Sequence, residues 1–95
     1  MASDKSYLDF VLDLLSDIPS IHYKKMMGEF LLYQGDVLFG GIYDNRFLIK
    51  KSKSSYQSDF KEVIPYPNAK PMLLIDIEDK EEITRIIHLV VEDLR

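Results

Sequence analysis

The stretch SIHYKKMMGEFLLYQGDVLFGGIYDNRFLIKK, Ser20 to Lys51, decides the fold. Its apolar residues follow the period of strands, rich in β-branched, aromatic and Leu side chains and broken by short turn signals. Ile21 to Lys24 alternates apolar and polar. Glu29 to Gln34 is a second extended run, and Gly35-Asp36 is a two-residue hairpin connection in which glycine supplies the positive φ. Val37 to Tyr43 follows, Asp44-Asn45 makes another tight turn, and Arg46 to Lys51 closes the series. Turns this short join antiparallel neighbours, so the stretch predicts a four-stranded meander. Phe30 to Tyr33 and Val37 to Phe39 are apolar at nearly every position, which predicts at least partial cover on both faces. Gly40-Gly41, inside a strand pattern, marks a bulge or a close approach of backbones.

The flanks turn to helical periodicity. Leu8, Val11, Leu12 and Leu15 share one face of a helix expected from Ser3 to Ser16, with Ser3 as its cap and Pro19 as its stop. Asp9, Asp13 and Asp17 lie on the other face, where mutual repulsion calls for water or a basic neighbour. After the meander, Ser52 to Lys61 predicts a short helix from the spacing of Tyr56 and Phe60. Pro65-Tyr66-Pro67-Asn68 must be a loop. Met72 to Ile77 predicts a further strand. Ile83, Ile86, Ile87, Val90, Val91 and Leu94 form a regular stripe on a helix from about Asp79 to Leu94, and Asp79 with Glu82 has the spacing of a capping box. The expected architecture is therefore α+β: one antiparallel sheet of about five strands with three helices, in the order α-β-β-β-β-α-β-α.

Composition bounds the function classes. A chain of 95 residues that is 46% hydrophobic can bury one core without staples, and the absence of Cys removes thiolate chemistry, Cys-ligated zinc and disulfides. The formal net charge of −4 argues against a purely charge-driven nucleic-acid binder. That sum hides a division: Ser20 to Ser54 carries six basic against three acidic residues, whereas both terminal helical segments are acidic. Met1 to Phe10 holds charges where a signal peptide needs an apolar run, and no stretch reaches the length of a membrane span, so the expected location is cytoplasmic and away from membranes.

Few residues suggest chemistry. Lys24, Lys25, Lys50, Lys51 and Lys53 read first as solvated strand ends that discourage edge pairing, and second as candidates for phosphate contacts, with Tyr23 or Tyr43 available for stacking. The acidic run Asp76, Glu78, Asp79, Glu81, Glu82 fails the calcium-loop template, having Glu81 where glycine is needed, and suits a helix amino terminus. His22 and His88 have no partner at a recognisable spacing, and the serines of residues 52–58 lack a nucleophile elbow. The sequence thus predicts neither enzyme, metal nor cofactor. Met26-Met27 reads first as gap-filling in the core, and second as an adaptable binding surface.

One resemblance emerges from these motifs. Tyr23-Lys24-Lys25-Met26-Met27-Gly28-Glu29-Phe30-Leu31-Leu32-Tyr33, with Gly35, Leu38-Phe39-Gly40-Gly41-Ile42-Tyr43-Asp44 and Phe47-Leu48-Ile49-Lys50, resembles the signature of the amino-terminal domain of TfoX/Sxy-type competence regulators. Short bacterial members that stand alone share the Met-Met-Gly-Glu, Gly-Gly-Ile-Tyr-Asp and Pro-Tyr-Pro-x-Ala-Lys-Pro-Met-Leu-Leu patterns. The resemblance implies one TfoX-type domain over residues 1–95 with no second domain, and a regulatory or protein-interaction role in transcription without a known enzymatic activity or cofactor. It marks Lys25, Met26, Met27, Gly28, Tyr33, Gly40 and Gly41 as motif and interaction candidates. The partners expected are a second copy, forming a homodimer through an apolar sheet edge or helix face, and a protein of the transcription machinery. Direct nucleic-acid binding is the alternative function, and a small-ligand carrier or enzyme of unknown chemistry the third.

Overall fold

The computed structural model describes residues 3–53 and 60–95. Its elements are α1 (Lys5–Leu14), β1 (Ile21–Met26), β2 (Glu29–Gln34), β3 (Val37–Ile42), β4 (Phe47–Lys50), β5 (Glu62–Val63), β6 (Met72–Leu74) and α2 (Lys80–Leu94). The six strands form one antiparallel sheet in the order β1-β2-β3-β4-β6-β5. The α+β class and the meander stand as expected. Two points differ: the described residues hold two helices rather than three, and the sheet has six strands rather than about five. The short helix expected over residues 52–61 falls mostly on residues 54–59, outside the described ones. The extra strand, β5, is two residues long, too short to carry a readable period.

Turn chemistry sets the meander. Met27 (φ 53°) and Gly28 (φ 84°) close β1 onto β2, and Asp44 (φ 53°) and Asn45 (φ 55°) close β3 onto β4. Both are left-handed pairs, matching the twist of the strands they join. Gly35 takes φ 61° at the turn between β2 and β3. Register slips by one residue between Leu32 and Tyr33, so that Leu32 faces Gly40 while Tyr33 faces Leu38 and Phe39 is the extra residue. At Gly40 a Cβ would stand 2.3 Å from the Leu48 carbonyl oxygen, so the backbones there touch. The bulge and the close approach both occur.

Both helices cover one face of the sheet. Leu8, Val11 and Leu15 from the first helical segment, and Ile83, Ile86, Ile87, Val90 and Val91 from α2, pack in one cluster with Phe30, Leu32, Phe39, Ile42, Phe47, Ile49, Leu73 and Ile75. The ends of the helices differ. Asp79 caps α2 by accepting hydrogen bonds from the amides of Glu81 (3.1 Å) and Glu82 (3.2 Å), whereas Glu82 turns its carboxylate to Arg85. Asp4, not Ser3, stands at the cap position of α1 and makes no side-chain capping bond. The helix stops at Leu14, well before Pro19: the Leu15 amide still reaches the Val11 carbonyl (3.1 Å), but the next bonds, Ser16 to Asp13 (3.2 Å) and Ile18 to Leu15 (3.0 Å), span three residues and tighten the chain into turns that keep Leu15 and Ile18 in the core. Of the helical aspartates, Asp9 pairs with Lys5 (2.9 Å) and Asp17 with Lys80 (3.8 Å). Among the described residues no helix is long and apolar enough to cross a membrane.

Candidate functional site

Directly paired residues of an antiparallel sheet share a face, so the register assigns every strand side chain. Opposite the helices lie His22, Tyr33 and Leu38 in one row, and Lys24, Leu31, Gly41, Leu48 and Leu74 in the next. Lys50, opposite Met72, belongs to this face as well. No helix covers it. Instead the segment Pro65 to Pro71 folds back along it, turning at Tyr66-Pro67-Asn68-Ala69 with Asn68 at φ 70° and the Ala69 amide bonded to the Tyr66 carbonyl (3.1 Å). Proline second and a left-handed Asn third are what a type II turn requires.

The space between this segment and the sheet is a groove. Its larger recess, about 670 Å³, has Met26, Leu31, Leu38 and Met72 as apolar lining, Tyr43 and Tyr66 as aromatic lining, and Lys50, Lys51 and Lys70 around it. A second recess of about 610 Å³ shares Met26, Leu31, Tyr43, Pro65 and Tyr66 and reaches Met27. The rings of Tyr43 and Tyr66 meet at 6.1 Å. Gly41 makes room for the first of them, since a Cβ there would come within 2.8 Å of the Tyr43 ring. Burial pushes the Tyr43 phenol above its usual value, and the neighbouring Tyr66, Glu29 and Tyr33 push it the same way, so it remains a neutral hydrogen-bonding group.

The turns at the groove's end are pinned by one polar network. Glu29 accepts the Ser3 hydroxyl (2.5 Å) through one oxygen and the Asp44 amide (3.1 Å) through the other. Ser3 in turn accepts the Asn45 amide (3.0 Å), and its own amide donates to the Gly28 carbonyl (3.0 Å). Asn45 accepts the Asp4 amide (2.8 Å). The Met-Met-Gly-Glu and Gly-Gly-Ile-Tyr-Asp motifs, 15 residues apart between Glu29 and Asp44, thus meet at one corner. Gly28, Glu29 and Asp44 build it; Met26 and Met27 project from it.

The structure separates the lysine candidates. Strand alternation puts Lys24 on the groove face and Lys25 on the helix face of the β1 edge. Lys50 and Lys51 border the groove, the latter also 3.3 Å from Glu62, and Lys53 is exposed beyond β4. The methionines are not core gap-fillers: Met26 is 49% and Met27 97% exposed, Met26 because its pairing with Glu29 sets it on the face opposite the helices and Met27 because it sits in the turn that closes β1 onto β2. Tyr33 stacks on His22 (5.2 Å, 6° between planes), and the His22 ring lies 2.5 Å from the Gly35 carbonyl oxygen. Leu31 and Leu38 stand in the signature quoted above and Tyr66, Lys70 and Met72 in its Pro-Tyr-Pro pattern, but the sequence singles out none of the five as a site residue. The Pro-Tyr-Pro-Asn loop signalled a turn, but nothing local signalled which face it returns to.

No family model matches the chain. Over 78 residues it is 33% identical to the uncharacterized 12.7 kDa protein in the trpE 5′ region of Spirochaeta aurantia, an alignment covering 80% of this chain and 68% of that one. The chain belongs to that protein's family. The shared span covers more than two thirds of both proteins, so the relationship is one of whole domains rather than of a single motif.

Proposed function

We propose that this chain is a non-enzymatic interaction domain of the TfoX type, acting in transcriptional regulation through a protein partner that it holds in the groove on the helix-free face. The occupant is a segment with apolar or aromatic anchors flanked by carboxylates. One observation carries this reading: an apolar groove with Tyr43 and Tyr66 in it is bordered by Lys50, Lys51 and Lys70, while the acidic helices occupy the other side of the molecule. Aromatic and Met side chains supply adaptable contact area, and lysines around an apolar centre select carboxylates and steer encounter. The resemblance of the motifs to TfoX-type regulators supports the setting.

The test is a selection from a phage-displayed random peptide library. Enriched peptides should combine Asp or Glu with Phe, Trp or Leu. Tyr66→Ala combined with Lys70→Glu should weaken them about tenfold, since an aromatic anchor contributes about 1 kcal/mol and a charge at the rim about half that. Enrichment of basic peptides, or affinity indifferent to the double substitution, contradicts the reading. A second reading, binding of single-stranded nucleic acid, is favoured by one feature: Tyr66, 57% exposed, stands in the same groove as Lys50 and Lys51. Base stacking beside cations is how sequence-tolerant single-strand binders work. It predicts retardation of an oligo-dT probe that fades steeply with salt.

A further inference from the structure

The two edges of the sheet are not alike. β5, at one edge, is two residues long, too short to template another strand. β1, at the other, runs six residues without proline or bulge, is exposed along nearly its whole length, and among the described residues meets no other strand on its outer side. Which of its backbone groups point outward follows from one bond. The Gly35 amide donates to the Ser20 carbonyl (2.9 Å), in register with the ladder that pairs Ile21 with Gln34. In an antiparallel ladder hydrogen-bonded pairs alternate. Ser20, His22, Lys24 and Met26 therefore turn their N–H and C=O toward β2, and Ile21, Tyr23 and Lys25 turn theirs outward.

We propose that a second copy of this chain pairs its β1 antiparallel with this edge, about a twofold axis at Tyr23. An axis perpendicular to the sheet keeps each face on its own side, so opposed residues must share a face and the axis must pass through a residue rather than between two. Centred on Tyr23, the pairing sets Ile21 opposite Lys25 of the second copy and Tyr23 opposite its own mate, and every outward N–H and C=O of the three residues finds a partner. Centred on His22 it leaves Lys25 unpaired; centred on Lys24 it leaves Ile21 unpaired and sets lysine against lysine.

The charges agree with the same register. Lys24 then opposes His22 and Lys25 opposes Ile21, so the lysines, which guard an edge against arbitrary strands, avoid one another in this pairing. Tyr23, 40% exposed and already edge-on to Phe30 at 5.8 Å, gains an aromatic neighbour across the axis. The product is a continuous sheet with both grooves on one side. At about 4.8 Å per strand the groove centres on the two β3 strands lie roughly 24 Å apart.

The inference is independent of what the groove binds, and the absence of native cysteine makes it directly testable. Light scattering on the eluting protein should give twice the 11.1 kDa chain mass. Tyr23→Lys, which brings like charges together on the axis and leaves the β1–β2 ladder untouched, should give the monomer mass. Tyr23→Cys should cross-link into a disulfide dimer under mild oxidation, since hydrogen-bonded pairs hold their Cα atoms about 5.5 Å apart, within disulfide reach. Lys24→Cys should not, because across this axis it is displaced by two residues from its mate. A monomeric wild type, a dimer that survives Tyr23→Lys, or cross-linking through position 24 instead of 23 overturns the proposal.

Discussion

Met27 holds a left-handed backbone with its side chain 97% exposed, at a turn position that suits Asn or Gly. A non-glycine residue there costs roughly 1 kcal/mol, and exposure means that packing returns almost none of it. Met27→Asn should therefore raise stability by about 0.5–1 kcal/mol, read as a higher urea midpoint at unchanged slope. The groove reading adds that the same variant binds selected peptides more weakly, because Met27 lines the second recess. A variant no more stable than wild type removes the strain argument. At this scale the sequence was partly legible. Gly40-Gly41 announced itself, since glycine inside a strand pattern has few other uses. Ser3 misled: its hydroxyl suits a helix cap, yet in the structure it serves Glu29 and Asn45, partners 26 and 42 positions away.

Among the elements, the two helices show what a cap contributes. Asp79 holds two amides of α2, and replacing it with Ala should cost about 1 kcal/mol in chemical denaturation. Asp4→Ala should cost less, since its side chain caps nothing in α1 and accepts a long bond, 3.3 Å, from the Asn45 side-chain amide. Equal losses would mean that capping is not what distinguishes them. Elements with a long apolar period were legible: α2 begins within a residue of its expected start, and β2 has its expected bounds. β6 is shorter than its apolar run, because Ile75 and Ile77 stay apolar after the strand has ended; the Ile75 amide still bonds to the Phe47 carbonyl (2.8 Å), but the chain then leaves for α2. β5 exists only because β6 offers it a ladder, a dependence that no local pattern expresses.

Across the whole molecule, the division of charge visible in the sequence becomes a division of faces. Both helices carry acidic exposed surfaces on one side, and the opposite side holds the groove with its lysines. What local patterns could not supply was which lysines share a face with which aromatics, since that depends on strand parity and on the return path of residues 65–71. Lys24 and Lys25 are adjacent in sequence and opposite in space; Lys50 and Tyr66 are distant in sequence and border one recess. The face opposite the helices is the proposed working surface. Its most direct test is a map of backbone amide shifts in the labelled protein on addition of a peptide from the library selection. Perturbations should cluster at Met26, Leu31, Leu38, Lys50, Tyr66 and Ala69, with the exposed side of α2 unchanged; shifts concentrated on α1 and α2 would place the working surface on the helices instead.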